Sequence, residues 1–261
     1  MLRTINQEQF SIDNIAVTTL ARSYNILSSQ VQLKNLLSSV LLINDINKFT
    51  KYELHNLFNE IIYKYYNGET TVKALLVKYF IRERVVAAFE IKSNKSRIDF
   101  LRINGSTMSY EIKSELDTLL KLKKQVNDYQ KLFDYNYVVI DEKHLTNARE
   151  IIPSQYGIIS VCNGKLSEIL KAKKNIFICA SSQLNLFTKK ELEYFFEGMN
   201  CDKNKILKKY SPLKLNEIFR AMLKDRYEKK WGFLLEHRRE ILPIDYQFFF
   251  NNNILPSIIY T

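Results

Sequence analysis

The chain has 261 residues, 46% of them hydrophobic, with only 6 Gly and 4 Pro, which suits a compact globular protein able to bury a large core in one or two domains. Its formal net charge of +11 favours polyanions such as nucleic acid, and also fits the habit of a Lys- and Asn-rich proteome. Cys162, Cys179 and Cys201 have no paired spacing and His55, His144 and His237 are scattered, which excludes a disulfide frame, a zinc cluster and a His-based catalytic triad; buried thiols in a reducing compartment are expected.

Residues before about Val85 read mostly as helix. Thr50 caps a helix expected to run through Tyr66 and to stop at Asn67-Gly68. Thr71 starts another, to about Arg82. The pair fits a helix-turn-helix or, preferably, a packing layer for the core of the chain. Glu90, in Phe-Glu-Ile-Lys-Ser, ends a strand. Arg97 to Ile103 alternates apolar and polar residues, Asn104-Gly105-Ser106 is a turn, and Met108 to Lys113 is the returning strand. Side chains alternate with period two, so Glu111 and Lys113 share one face while Tyr110 and Ile112 share the other. Arg97 and Asp99 share a face of the partner strand. One register brings Asp99, Glu111 and Lys113 to the same side.

Ser114, with Asp117 three residues on, reads as the cap of the next helix. Its apolar stripe is Leu116, Leu119, Leu120, Leu122, Val126 and Leu132. Glu115 and Asp117 suit its positive end. Gln125 and Tyr129, four apart, lie on one face. Tyr137 to Asp141 and Gly157 to Val161 read as buried strands around a short helix, His144 to Ile152. Asn163-Gly164 is a turn, and Leu166 to Leu170 is a strand or a short helix. Strands alternating with helices indicate an α/β sandwich. Thr188 caps a helical segment and Pro212 opens a longer one.

That long helix carries Lys224, Arg226, Lys229, Lys230, Arg238 and Arg239 around Tyr227 and Trp231. It reads either as a nucleic-acid arm or as an amphipathic helix burying Phe219, Met222, Leu223, Trp231 and Leu234. The aromatic tail from Tyr246 packs on the body or on a partner. No secretory signal and no long apolar span are evident, so a cytoplasmic protein without a membrane partner is expected.

The order Asp99, Glu111-Ile112-Lys113, Gln125 and Tyr129 resembles the PD-(D/E)XK nuclease superfamily, in its RecB-type branch. The run Glu-Ile-Lys-Ser-Glu-Leu-Asp-Thr is also similar to an uncharacterised bacterial family of that superfamily. The usual Pro before the Asp is Ile98 here. The tripeptide alone is common, as Glu90-Ile91-Lys92 demonstrates; order, spacing and the helix after the hairpin carry the likeness.

The resemblance implies a restriction-endonuclease-like mixed sheet flanked by helices, with a core at 85–170, a helical layer at 1–84 and a basic, mainly helical region at 171–261. It implies a metal-dependent nuclease that hydrolyses phosphodiester bonds, in DNA rather than RNA. Asp99 and Glu111 would hold Mg, or Mn in its place, with the Ile112 carbonyl as a third oxygen. Lys113 would orient water and stabilise charge, and Gln125 and Tyr129 would support the site. Glu90 is a further ligand or an outer support. Arg97 would contact phosphate or pair with a site carboxylate, and Lys229, Lys230 and Arg238 would contact nucleic acid. Two alternatives remain. One is a non-catalytic nucleic-acid or protein-binding module. The other is an interaction protein, partnered or homo-oligomeric, that uses the tail after Pro243. No Gly-rich phosphate loop is present.

Overall fold

The computed structural model describes residues 14–41, 45–81, 83–93 and 96–261. They form two compact units. One comprises Asn14 to Val77 with Phe233 to Thr261, the other Lys78 to Gly232. These divisions fall elsewhere than the sequence-based ones at 84/85 and 170/171.

The first unit is helical. Its helices α1 (Asn14–Ser23), α2 (Gln30–Val40) and α3 (Lys51–Tyr65), with the first part of α4 (Glu69–Phe80), are punctuated by local polar chemistry. Ser29 and Gln32 form a reciprocal cap at the start of α2, and Thr50 and Glu53 do the same for α3, each serving two backbone donors that have no partner within the helix. Leu20, Leu33, Leu37, Leu54, Leu57, Phe58, Ile61 and Ile62 pack together as its core. The α4 helix starts at Glu69, not Thr71. Thr71 is buried and its hydroxyl donates to the Ile62 carbonyl, so it is tied to α3 rather than acting as a cap. The expected end near Arg82 lies outside the described residues. Thr71 to Ala74, Leu76 and Val77 are all buried, which leaves α4 little surface to enter a DNA groove and makes it a packing helix.

The second unit is α/β. Its six-stranded sheet, counted over the described residues, has the order β1 (Val86–Ser93), β2 (Ser96–Ile103), β3 (Thr107–Lys113), β4 (Tyr135–Asp141), β5 (Gly157–Cys162) and β6 (Lys165–Leu170). Pairing is antiparallel across β1, β2 and β3, parallel across β3, β4 and β5, and antiparallel again at β6. The sheet is therefore mixed, with the hairpin at Gly105 (φ +65°) closing β2 onto β3. Gly157 lies opposite Tyr137 on β4. A Cβ there would run into the Tyr137 ring and the Ala172 backbone nitrogen, so the residue is fixed by close approach.

Helices α5 (Leu122–Tyr129) and α6 (Leu145–Ile151) cover one face, where Leu122, Val126, Val138, Ile140, Ala148, Tyr156 and Ile158 pack. On the other face Phe89, Phe100, Tyr110 and Phe80 meet ring to ring, and Trp231 meets Phe100. The unit continues through α7 (Ala180–Leu184), α8 (Lys189–Phe195), α9 (Lys203–Lys209) and α10 (Pro212–Glu236) as far as Gly232. Phe219, Met222, Leu223, Trp231 and Leu234 are all buried, so α10 is amphipathic and Trp231 cannot stack on a base. The chain closes with α11 (Tyr246–Asn252) and α12 (Pro256–Tyr260). Tyr246, Phe249, Phe250 and Tyr260 are buried in the helical unit.

Three expectations need correction. The helix expected from Ser114 begins at Leu122. Ser114 instead donates its backbone N–H (2.8 Å) and its hydroxyl (2.5 Å) to Asp117 Oδ2, while Asp117 N–H returns to the Ser114 carbonyl. The pair closes a turn rather than a cap. Leu116 and Leu120, expected on the apolar stripe, are exposed. The thiols are not buried either: Cys162 is exposed, and Cys179 and Cys201 are partly so. Among the described residues no helix is long and apolar enough to cross a membrane.

Candidate metal centre on the sheet face

Three acidic residues lie level with one another on β1, β2 and β3. The β1–β2 register passes from Phe89 opposite Phe100 to Ile91 opposite Ile98, with Glu90 and Asp99 between. The β2–β3 ladder ends at Phe100 opposite Tyr110, so the next step brings Asp99 level with Glu111. Carboxylate oxygens of Glu90 and Asp99 lie within 4.8 Å of each other. Like charges facing each other across strands are unfavourable, and Glu90 adds backbone strain, with φ at +55° inside a strand.

Beyond Phe100 the β2–β3 ladder gives way to a side chain. Asp99 Oδ2 accepts the Ile112 backbone N–H at 2.7 Å. A strand residue points its N–H and C=O to the same edge, so the Ile112 carbonyl is turned toward the Asp99 side as well. Glu111 is almost fully buried. Its Oε1 accepts from Lys113 Nζ at 2.7 Å, and its Oε2 lies 2.8 Å from the Tyr129 hydroxyl. That hydroxyl also lies 2.7 Å from the Arg97 carbonyl oxygen, so α5 ties β2 to β3 where their ladder has ended. Gln125 also hydrogen-bonds Tyr129, whose phenol is pushed well above its ordinary range by burial and by the Glu111 charge. Tyr129 therefore stays neutral and donates its single proton to the two acceptors.

These residues suit a hard divalent cation. Oxygen donors from carboxylates and a carbonyl are the set magnesium or manganese takes. Glu90 and Asp99 converge, Ile112 offers a carbonyl at the same edge, and the Gln125 Oε1 atom is buried without a partner. Glu111 stands apart from that convergence, its oxygens held by Lys113 and Tyr129. Each carboxylate oxygen has a second lone pair, so those bonds leave it capacity to bind.

A basic row runs beside the acidic one. Lys92 pairs with Arg97 across β1 and β2, and Lys113 follows Glu111 on the same face of β3. Arg97 is half exposed and makes a long 3.4 Å contact to Glu90, so it faces a site carboxylate. Lys229 is exposed and Lys230 partly exposed near the end of the α/β unit, while Arg238, exposed, belongs to the helical unit and donates to the Leu235 carbonyl.

Two features escaped the sequence. Lys92 appeared only as part of a common tripeptide. Asp134 gave no signal, yet it is nearly fully buried and accepts from Thr107 N–H and hydroxyl, Asn216 and both Nε and Nη2 of Arg220 at 2.7–2.9 Å. Burial opposes its charge, but Arg220, Thr107 and Asn216 outweigh that and hold its carboxyl below the usual range. This pair anchors α10 to the starts of β3 and β4.

The family model described as bacteriophage P4 protein cII matches residues 63–249. The chain belongs to that family. A search of curated proteins finds no match. Among solved structures, a protein of unknown function from Silicibacter pomeroyi, SPO1766, is similar at 19% identity with a TM-score of 0.28; the match covers 34% of this chain and 61% of that one.

Proposed function

We propose that this chain is a divalent-metal-dependent nuclease of the PD-(D/E)XK type, with a restriction-endonuclease-like core, hydrolysing phosphodiester bonds in DNA. The observation that carries this reading is the alignment of Glu90, Asp99 and Glu111 on adjacent strands with Lys113 beside them. Three acids in a row cost stability unless a cation or a base offsets them.

Asp99, Glu111 and the Ile112 carbonyl would hold the cation, with Glu90 as a further ligand. Bound there, a divalent ion supplies a hydroxide near neutral pH and a sink for phosphate charge. Lys113 orients the attacking water and stabilises the oxyanion that develops on phosphorus. Tyr129 fixes Glu111 and, through Arg97, the end of β2. Gln125 holds Tyr129.

One observation favours a second reading, a non-catalytic binding module on the same scaffold: both Glu111 oxygens already have partners without a cation. The test is cleavage of labelled single- and double-stranded DNA and RNA in Mg, in Mn and in chelator, beside the Lys113→Ala protein. Metal-dependent cutting that the substitution abolishes supports the nuclease. Binding without cutting, unchanged by chelator or by the substitution, supports the module.

A further inference from the structure

A cleft of about 560 Å³ opens beside the acidic row, lined by Glu90, Lys92, Asn185, Leu186, Arg226 and Tyr227. Glu90 belongs to both, so the cleft adjoins the place where the scissile phosphate would lie. Its size is within the ~300–1,000 Å³ of small-ligand sites. Its chemistry is divided. Lys92 is exposed, sits two residues beyond Glu90 on the same face of β1, and has no ion-pair partner among the described residues. Asn185 adds an amide whose oxygen is taken by Lys203 Nζ at 2.9 Å, which leaves its N–H donors. Tyr227 supplies a half-buried aromatic ring.

Arg226 makes the wall rigid. Its guanidinium is clamped on Glu191 through Nε at 2.7 Å and Nη2 at 2.5 Å, and on the Leu186 carbonyl at 2.8 Å. The same guanidinium lies 5.8 Å from the Tyr227 ring centre. A fixed ring beside a cation and an amide is what a nucleotide needs: stacking for the base, donors for its edge, and charge for its phosphate.

We propose that this cleft seats the base of a nucleotide flanking the scissile phosphate, so that the substrate is a single strand or a duplex end unpaired at that point. A paired base is stacked inside the duplex and enters a side pocket only after unstacking and unpairing, at a free-energy cost that a single strand or an open end does not bear. The assignment rests on the nuclease reading for the position of the scissile phosphate, but the base pocket is testable without cleavage.

The experiment is fluorescence anisotropy with a labelled single-stranded oligonucleotide and a labelled blunt hairpin duplex, in Mg, using the Glu111→Gln protein to prevent turnover. Adding Tyr227→Ala should weaken single-strand binding on the order of tenfold, the loss expected from one stacked base, with duplex binding unchanged. Tyr227→Phe should restore it. Lys92→Ala, at an exposed position that leaves folding intact, should weaken single-strand binding severalfold and lower its salt dependence. Equal losses for single strand and duplex, or no loss from either substitution, would overturn the pocket. Wild-type protein that cuts nothing, with the Tyr227 and Lys92 effects intact, would support the pocket and remove the nuclease.

Discussion

Glu111 is the side chain on which the site turns. It is buried, held by Lys113 on one oxygen and by Tyr129 on the other. Removing the Tyr129 hydroxyl leaves Glu111 Oε2 and the Arg97 carbonyl each short of a donor. Tyr129→Phe should therefore cost about 1–3 kcal/mol in denaturant unfolding and also lower cleavage. Unchanged stability would show that the hydroxyl ties nothing together. Asp134 makes a purely structural counterpart. Asp134→Ala leaves Arg220 unpaired and should cost about 3–5 kcal/mol. Because its carboxyl is depressed, its contribution is present above the unfolded value near 3.9 and is lost as pH falls through the lower folded value. Asp245 works in the opposite direction. Burial raises it to about 7, only partly opposed by Tyr260, Asn59 and Tyr24, which bond its Oδ2. A raised carboxyl stabilises the fold below its unfolded value, and that contribution is lost as pH rises from about 4 through about 7. Unfolding measured across pH 4–8 should show Asp245→Asn flattening this loss; an unaltered profile would contradict the assignment.

The β2–β3 hairpin was legible because a half-buried strand alternates and a Gly turn is specific. Its register could be read from those two signals, and Glu111 and Lys113 follow from period two. The helix after it was misplaced for a physical reason. The Asp117 carboxylate takes the Ser114 N–H as it would in a capping box, but the Asp117 N–H goes to the Ser114 carbonyl and not to its hydroxyl, a choice that the residue types do not reveal. Partners remote in sequence were invisible: Asp134 meets Arg220 across 86 positions, and nothing local marks either. The strain in β1 was equally hidden, since no residue type announces a glutamate at positive φ. It carries its own prediction. Glu90→Gly relieves the φ and Glu90→Gln relieves the charge facing Asp99. Each should stabilise the metal-free protein by about 1 kcal/mol while lowering metal-dependent cleavage, as thermal unfolding in chelator and a rate assay would show. Destabilisation by both would mean that Glu90 serves the fold rather than the site.

The chain as a whole pairs a helical unit, made of its two ends, with an α/β unit from its middle. The sequence placed the sheet but not this division, because it cannot show that the aromatic tail returns to the first helices. Tyr24, Asn59 and Tyr260 meet at Asp245 within that unit, so the tail's aromatic rings serve the fold. The net charge of +11 has a consequence of its own. Binding of any nucleic acid should weaken steeply with salt, with a slope set by the phosphates neutralised, and Lys113→Ala should alter cleavage far more than that slope. The central claim is that the acids on β1, β2 and β3 hold a divalent cation, and its most direct test is calorimetric titration of Mn into wild-type and Asp99→Asn protein. One Mn site in the wild type, lost in the variant while the fold is retained, is the predicted result. Identical titrations, or no binding by either, would contradict it.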